Sequence, residues 1–283
     1  MRMYHRDSTG DLKPLKLAKQ SKTILKENLP LLEYESTVAE EVISFRFMNG
    51  TIHWLDIISS ITNGKAPFLV SYHPSVFSPE SQVRLESIMG CRNGVMLQVG
   101  RISALYEHQI QLTEQVNLDC SALGPVVLDI DSEIQRELSQ LALEDPTLLE
   151  DDLDMLADIS TFVTQMFAYM ASIYLHLIIY GFSGQNMLAI SAYAKAMDIL
   201  RAKIPRTALP ALVCPLFIIG SVAKTEDEQY FRNVFSLAPI SGSIYQQRER
   251  ILPILENIWS MRKSKPTVTW KECLYLTQNI LLL

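Results

Sequence analysis

LPALVCPLFIIGSVAKTEDEQYFRNVF (Leu209–Phe235), followed directly by SLAPISGSIYQQRERILPILENIW (Ser236–Trp259), decides how this chain is read. Three apolar segments with helical spacing succeed one another, joined by two short polar breaks. Pro215 and Gly220 place a small-residue kink in the first of them. No side chain in the stretch is set up for bond chemistry. Its content is aliphatic and aromatic volume, so packing and contact are the work expected of it.

The same part of the chain carries a repeated helix-start device. Thr225/Glu228, Ser243/Gln246 and Thr269/Glu272 each place a hydroxyl three residues before a carboxylate or amide, ahead of an apolar run. In such a box the hydroxyl accepts from the third backbone N–H and the later side chain accepts from the first. The three boxes predict helix starts near 226, 244 and 270.

Working outward, helical segments fill the remainder. Leu29–Asn63 is expected to be one long helix, or two in line broken at Asn49-Gly50, with Asn63-Gly64 as its stop. Phe68–Phe77 reads as a loop. Ser78-Pro79-Glu80 reads as the start of a short helix ending near Gly90-Cys91-Arg92. Gly94–Gln115 and Asp131–Leu143 are helical, and Asn117–Asp129, with Gly124-Pro125, reads as loop. Leu153–Tyr180 and Met187–Ala202 complete the set. No strand and no fixed-period repeat is found. The fold class expected is all-α: a multi-helix bundle or irregular solenoid of antiparallel helices without a sheet. Residues 1–28 are read as a basic flexible arm or linker, and 29–283 as a single helical domain.

Composition agrees. The 283 residues are 48% hydrophobic and 20% charged, with only 11 glycines, which disfavours glycine-rich phosphate loops and turn-dense β folds. Residues 1–26 hold seven bases against two acids, a net of +5, so the rest of the chain carries −11 of the total of −6. An acidic body repels phosphate and is a poor nucleic-acid surface. Met166–Phe182 is free of full charges over 17 residues. That length is at the lower limit for a bilayer span, and without basic flanks it reads as a helix buried in protein.

The search for chemistry returns little. No dinucleotide, Walker, nucleophile-elbow or zinc-protease motif is present. Cys91, Cys120, Cys214 and Cys273 share no metal spacing, and no metal or cofactor is expected. Glu144–Asp158 holds seven acids but lacks the turn glycine of a calcium loop. Cys91 and His108 are a nucleophile–base pair only if the fold joins them. A helical protein-interaction scaffold without a ligand is an alternative reading, and a helical enzyme is the less favoured one. Met166, Tyr169, Met170 and Ile173, with Phe217, form a deformable Met/aromatic stripe that is either core or the lining of a small apolar effector pocket.

Four ordered pieces carry a family resemblance. They are FMNGTIHWLDIISSITNGKAPFL (Phe47–Leu69), SIMGCRNGVMLQVGRISALYEH (Ser87–His108), LPALVCPLFIIGSVA (Leu209–Ala223), and ILPILENIWSMR (Ile251–Arg262) followed by TVTWKECL (Thr267–Leu274). In this order they resemble the regulatory domain of fungal binuclear zinc-cluster transcription factors, the fungal-specific transcription factor domain of the second type. The matching positions are Trp54 and Asp56, the Gly90-Cys91 step, Pro215, Phe217 and Gly220, the closing Trp259-x-x-Arg helix, and Trp270.

The resemblance implies an all-α domain, nuclear residence, contacts with transcription machinery or co-regulators, homodimerisation and effector sensing. In some relatives a sterol in an apolar pocket controls nuclear entry. The six closely spaced cysteines of the family's DNA-binding module are missing here, so no direct DNA binding is expected from this chain alone. It is read as either a cut chain or a stand-alone regulatory domain.

Overall fold

A computed structural model describes residues 40–114, 123–143, 153–182, 187–202, 204–236, 248–265, 267–277 and 280–282. Every regular element among them is helical, as the periodicity predicts. The first helix, α1, runs over 40–63. Then come α2 (His73–Val76), α3 (Glu86–Met89), α4 (Asn93–Glu114), α5 (Leu123–Leu143), α6 (Leu153–Tyr180), α7 (Met187–Ala202), α8 (Val213–Ser221), α9 (Glu228–Ser236), α10 (Arg248–Ser264) and α11 (Trp270–Leu274). The chain gathers into two compact units, 1–48 and 49–283, with the boundary inside α1. In the first unit the described residues are the opening turns of α1, where Ile43, Phe45 and Met48 are exposed. The arm expected over 1–28 lies outside the described residues, as does Ser243.

In the second unit the core is wound around α6, which packs against α4, α5, α7, α8 and the 3₁₀ turn Arg206–Leu212. Met166, Phe167, Met170, Ala171, Tyr174 and Leu175 are all sealed from solvent. Ile159–Tyr180 is long and apolar enough to cross a membrane, yet it is mostly buried by protein. A helix apolar all round needs neighbours on every face, and here it has them.

The opening stretch forms α8, α9 and the first part of α10, up to Trp259. All nine residues of α8 are buried. Pro215 is tolerated because it sits in the first turn, where the backbone N–H has no helical partner anyway. Gly220 is needed for a close approach. A Cβ there would stand 3.1 Å from both Leu255 Cδ1 and Phe231 Cδ1, so α9 and α10 pack onto its bare backbone.

Several local expectations are corrected. α1 continues through Asn49-Gly50, where Val83 and Ile88 side chains occupy the space left by the missing Cβ. The loop expected at Gly124-Pro125 is the first turn of α5, again at positions whose N–H groups have no helical acceptor. The predicted loop Phe68–Phe77 contains the single turn α2. Ser78-Pro79-Glu80 opens only a 3₁₀ turn, Pro79–Ser81, without a side-chain cap. Gln82 then turns left-handed at φ 57°, and the chain must restart as α3. At Thr225 a 3₁₀ turn forms without the box. Its intended partner Glu228 instead pairs with Lys263 at 2.7 Å and Arg232 at 3.3 Å. The Thr269/Glu272 box forms as predicted.

Candidate functional site

Asp56 fixes the first of the motif regions. Its two carboxylate oxygens accept from the backbone N–H groups of Phe68 (2.9 Å) and Leu69 (2.8 Å), pinning the loop after α1. His73 Nε2 lies 3.3 Å from the same carboxylate. His53 and His73 meet edge-on with ring centroids 5.1 Å apart, and Phe77 stacks on His73. Burial lowers the pKa of both histidines. His53 further opposes a charge on His73, while Asp56 acts in the other direction.

Gly90 and Cys91 dock the second region on α6. Gly90 has φ +85°, which glycine adopts without steric cost, and it ends α3. The turn presents its carbonyl to Ser160 Oγ (3.1 Å) and Thr164 Oγ1 (3.3 Å). The Thr164 hydroxyl accepts from the Arg92 N–H at 3.2 Å. Cys91 is fully buried, and its thiol is held well above the usual range, chiefly by burial. His108 is exposed and stands 17 residues further along, roughly 25 Å at the helical rise. The fold therefore separates the nucleophile–base pair that the sequence left open. Cys214 is also pushed up by burial, and Cys273 to about 12. Among the described residues no group of three His, Cys, Asp or Glu could hold a metal.

The five stripe residues are core. Met166, Met170, Ile173 and Phe217 are buried to 2% exposure or less, and Tyr169 to 9%. None of them lines the cleft described next. That cleft, of about 860 Å³, lies between α4, the end of α6, the segment after α8, and the α10–α11 region. This is within the size range of small-molecule sites.

One wall is formed by Trp259 and Trp270, both singled out by the sequence as framework residues. Trp259 sends its Nε1–H to the Gly220 carbonyl at 2.7 Å, with the Arg232 guanidinium 5.0 Å over its ring. Trp270 meets Tyr174 edge-on at 5.8 Å, and the Tyr174 hydroxyl faces Trp270 and Ser103.

Three polar side chains face the same cleft. Arg262 is half-buried, donates from Nη1 to the carbonyls of Ser221 (2.9 Å) and Ala223 (2.8 Å), and lies 5.3 Å over the ring of Phe182. Burial lowers its pKa. No carboxylate among the described residues is within ion-pair distance of it. Tyr106 is buried, and its hydroxyl has no hydrogen-bond partner. Burial raises the phenol to about 12, with Cys273 and Tyr275 adding to the effect. Gln109 Oε1 is likewise buried without a partner.

The rim lysines, by contrast, are paired: Lys263 with Glu228, Lys265 with Glu272 at 2.8 Å, and Lys271 with Glu114 at 3.9 Å. Tyr106 and Gln109 were not singled out by the sequence, since a tyrosine on a helix face reads as core. Arg262 was visible as the last residue of the Trp-x-x-Arg element, because a spacing of three puts both side chains on one helix face.

The geometry defines a helical domain with a lined cleft and no described pairing of nucleophile and base. The chain belongs to the fungal specific transcription factor domain family, whose profile matches residues 17–283. It is 38% identical over 286 aligned residues to the Pestheic acid cluster transcriptional regulator 3 of Pestalotiopsis fici, covering 99% of this chain and 50% of the relative. It is 24% identical to the transcription factor dibT of Pestalotiopsis microspora, over 79% of this chain and 38% of that protein. It is also 24% identical to a trichothecene biosynthesis transcription regulator of Trichoderma arundinaceum, over 84% and 54% of the two chains. The chain thus spans about half the length, or less, of these relatives. No solved structure matches it.

Proposed function

We propose that this chain is the regulatory part of a nuclear transcription factor that controls the genes of a biosynthetic cluster. It would act by contact with co-regulators or transcription machinery, with an effector acting on the cleft rather than on the packed Met166–Tyr174 stripe, and without catalytic turnover. The observation that carries this reading is the near-complete alignment with a relative named as a cluster transcriptional regulator. The buried thiols and the separation of Cys91 from His108 support a non-enzymatic role. Self-association or partner contact is supported by the exposed Ile43, Phe45 and Met48 at the start of α1.

The test is a reporter assay in a filamentous fungus, with the chain fused to a heterologous DNA-binding domain. Reporter output should differ from that of the DNA-binding domain alone. Identical output with a stably expressed fusion overturns the proposal.

A further inference from the structure

The cleft contains an electrostatic imbalance that packing alone does not account for. Its rim lysines each have a carboxylate, whereas the half-buried Arg262 guanidinium rests only on two carbonyls and the Phe182 face. Carbonyl contacts do not neutralise its charge, and the Glu228 carboxylate acts on it only from beyond ion-pair distance. A guanidinium partly removed from water is a strong site for a planar carboxylate, which it can bind through two parallel hydrogen bonds. Elsewhere in the cleft lining, Tyr106 and Gln109 carry a hydroxyl and an Oε1 that are buried just beneath the surface without hydrogen-bond partners. Leaving such groups unsatisfied destabilises them, and a ligand hydroxyl would relieve that by donating to Gln109 and pairing with the tyrosine. Between these polar points the lining is aromatic and aliphatic, with Phe182, Trp270, Leu177 and Val268.

From this arrangement we infer that the cleft binds a hydroxylated aromatic carboxylic acid, with the carboxylate on Arg262, the hydroxyl at Tyr106 and Gln109, and the ring system against Phe182 and Trp270. This rests on the regulatory reading above and gives its effector a chemical class. Two features argue for a small molecule of this kind over an aliphatic lipid: the guanidinium without an ion-pair partner and the unpartnered hydroxyl-binding groups.

The test titrates the whole chain by calorimetry with 6-hydroxy-2-naphthoic acid, whose carboxylate and hydroxyl lie at opposite ends of the ring system, and with 2-naphthoic acid and 2-naphthol. The hydroxy acid should bind at least about tenfold more tightly than either parent, the factor expected of one charge-assisted or buried hydrogen bond. Tyr106→Phe should erase its advantage over 2-naphthoic acid. Because that hydroxyl has no partner in the fold, the variant tests the site without threatening folding. Arg262→Gln, which keeps a donor for the carbonyls, should erase the advantage over 2-naphthol. Equal binding of the three compounds, no binding up to their solubility limits, or unchanged affinity in folded Tyr106→Phe each overturns the inference. The reporter assay needs no added compound. Failed binding with an intact reporter response therefore removes the ligand class and leaves the regulatory reading standing.

Discussion

Trp259 Nε1 donates a 2.7 Å hydrogen bond to the carbonyl of Gly220, tying α10 to the end of α8 through a fully buried contact. The bond needs the bare Cα of Gly220, because that lets Leu255 and Phe231 come near enough to seat the indole. Trp259→Phe keeps most of the ring volume and removes the indole donor, leaving the carbonyl with the Ala223 N–H at 3.1 Å. It should cost about 0.5–1.5 kcal/mol. Trp259→Ala should cost about 3–5 kcal/mol by opening a cavity as well. Chemical denaturation of both variants measures the difference; a Phe variant as stable as the parent would show that the bond contributes nothing.

Gly220→Val probes the other half of the pair. Its added atoms meet Leu255 and Phe231, neither of which can withdraw without disturbing the α8–α9–α10 crossing. Destabilisation of about 1–3 kcal/mol is expected. An unchanged melting temperature would mean that the crossing is looser than the contact distances say.

Asp56→Ala removes the acceptor for two backbone N–H groups and the neighbour of His73. The expected cost is about 1–3 kcal/mol. Amide exchange should speed up first at Phe68 and Leu69. Protection at those two amides equal to the parent's would refute this role for the carboxylate.

Acid should destabilise the fold near neutral pH. His53, His73 and His176 are all lowered from the ordinary histidine value of about 6.5, in each case chiefly by burial. Nearby carboxylates oppose the shift without reversing it. The unfolded chain therefore takes up protons that the folded chain excludes. Stability is fully present above about 6.5 and declines as pH falls through that value towards the lowered folded-state values. Melting temperatures at pH 7.5 and 5.5 test this, and His73→Asn should flatten the decline. A higher melting temperature at pH 5.5 would contradict the sign.

Much of this architecture was legible in the sequence because helical periodicity and helix stops are local. Asn63-Gly64 ends α1, and Thr269/Glu272 caps α11, as their chemistry dictates. What failed were positions where a tertiary partner outbids a local one. Glu228 was a capping residue on paper, but Lys263 and Arg232 reach it in the fold. The stripe from Met166 to Ile173 has the composition of a pocket and the burial of a core. Only the arrangement of neighbouring helices separates those outcomes. Tyr106 and Gln109 had no signal at all, because a missing hydrogen-bond partner is a property of three dimensions.

The burial of α6 has a consequence for biosynthesis. Its apolar part, Ile159–Tyr180, extends about 33 Å, comparable to the hydrocarbon thickness of a bilayer. Two of its covering helices, α4 and α5, are made before it, and two, α7 and α8, after it. During translation the ribosome therefore releases a greasy rod with half its sheath still unmade. For that interval the nascent chain is a natural client for chaperones and a point of vulnerability to aggregation.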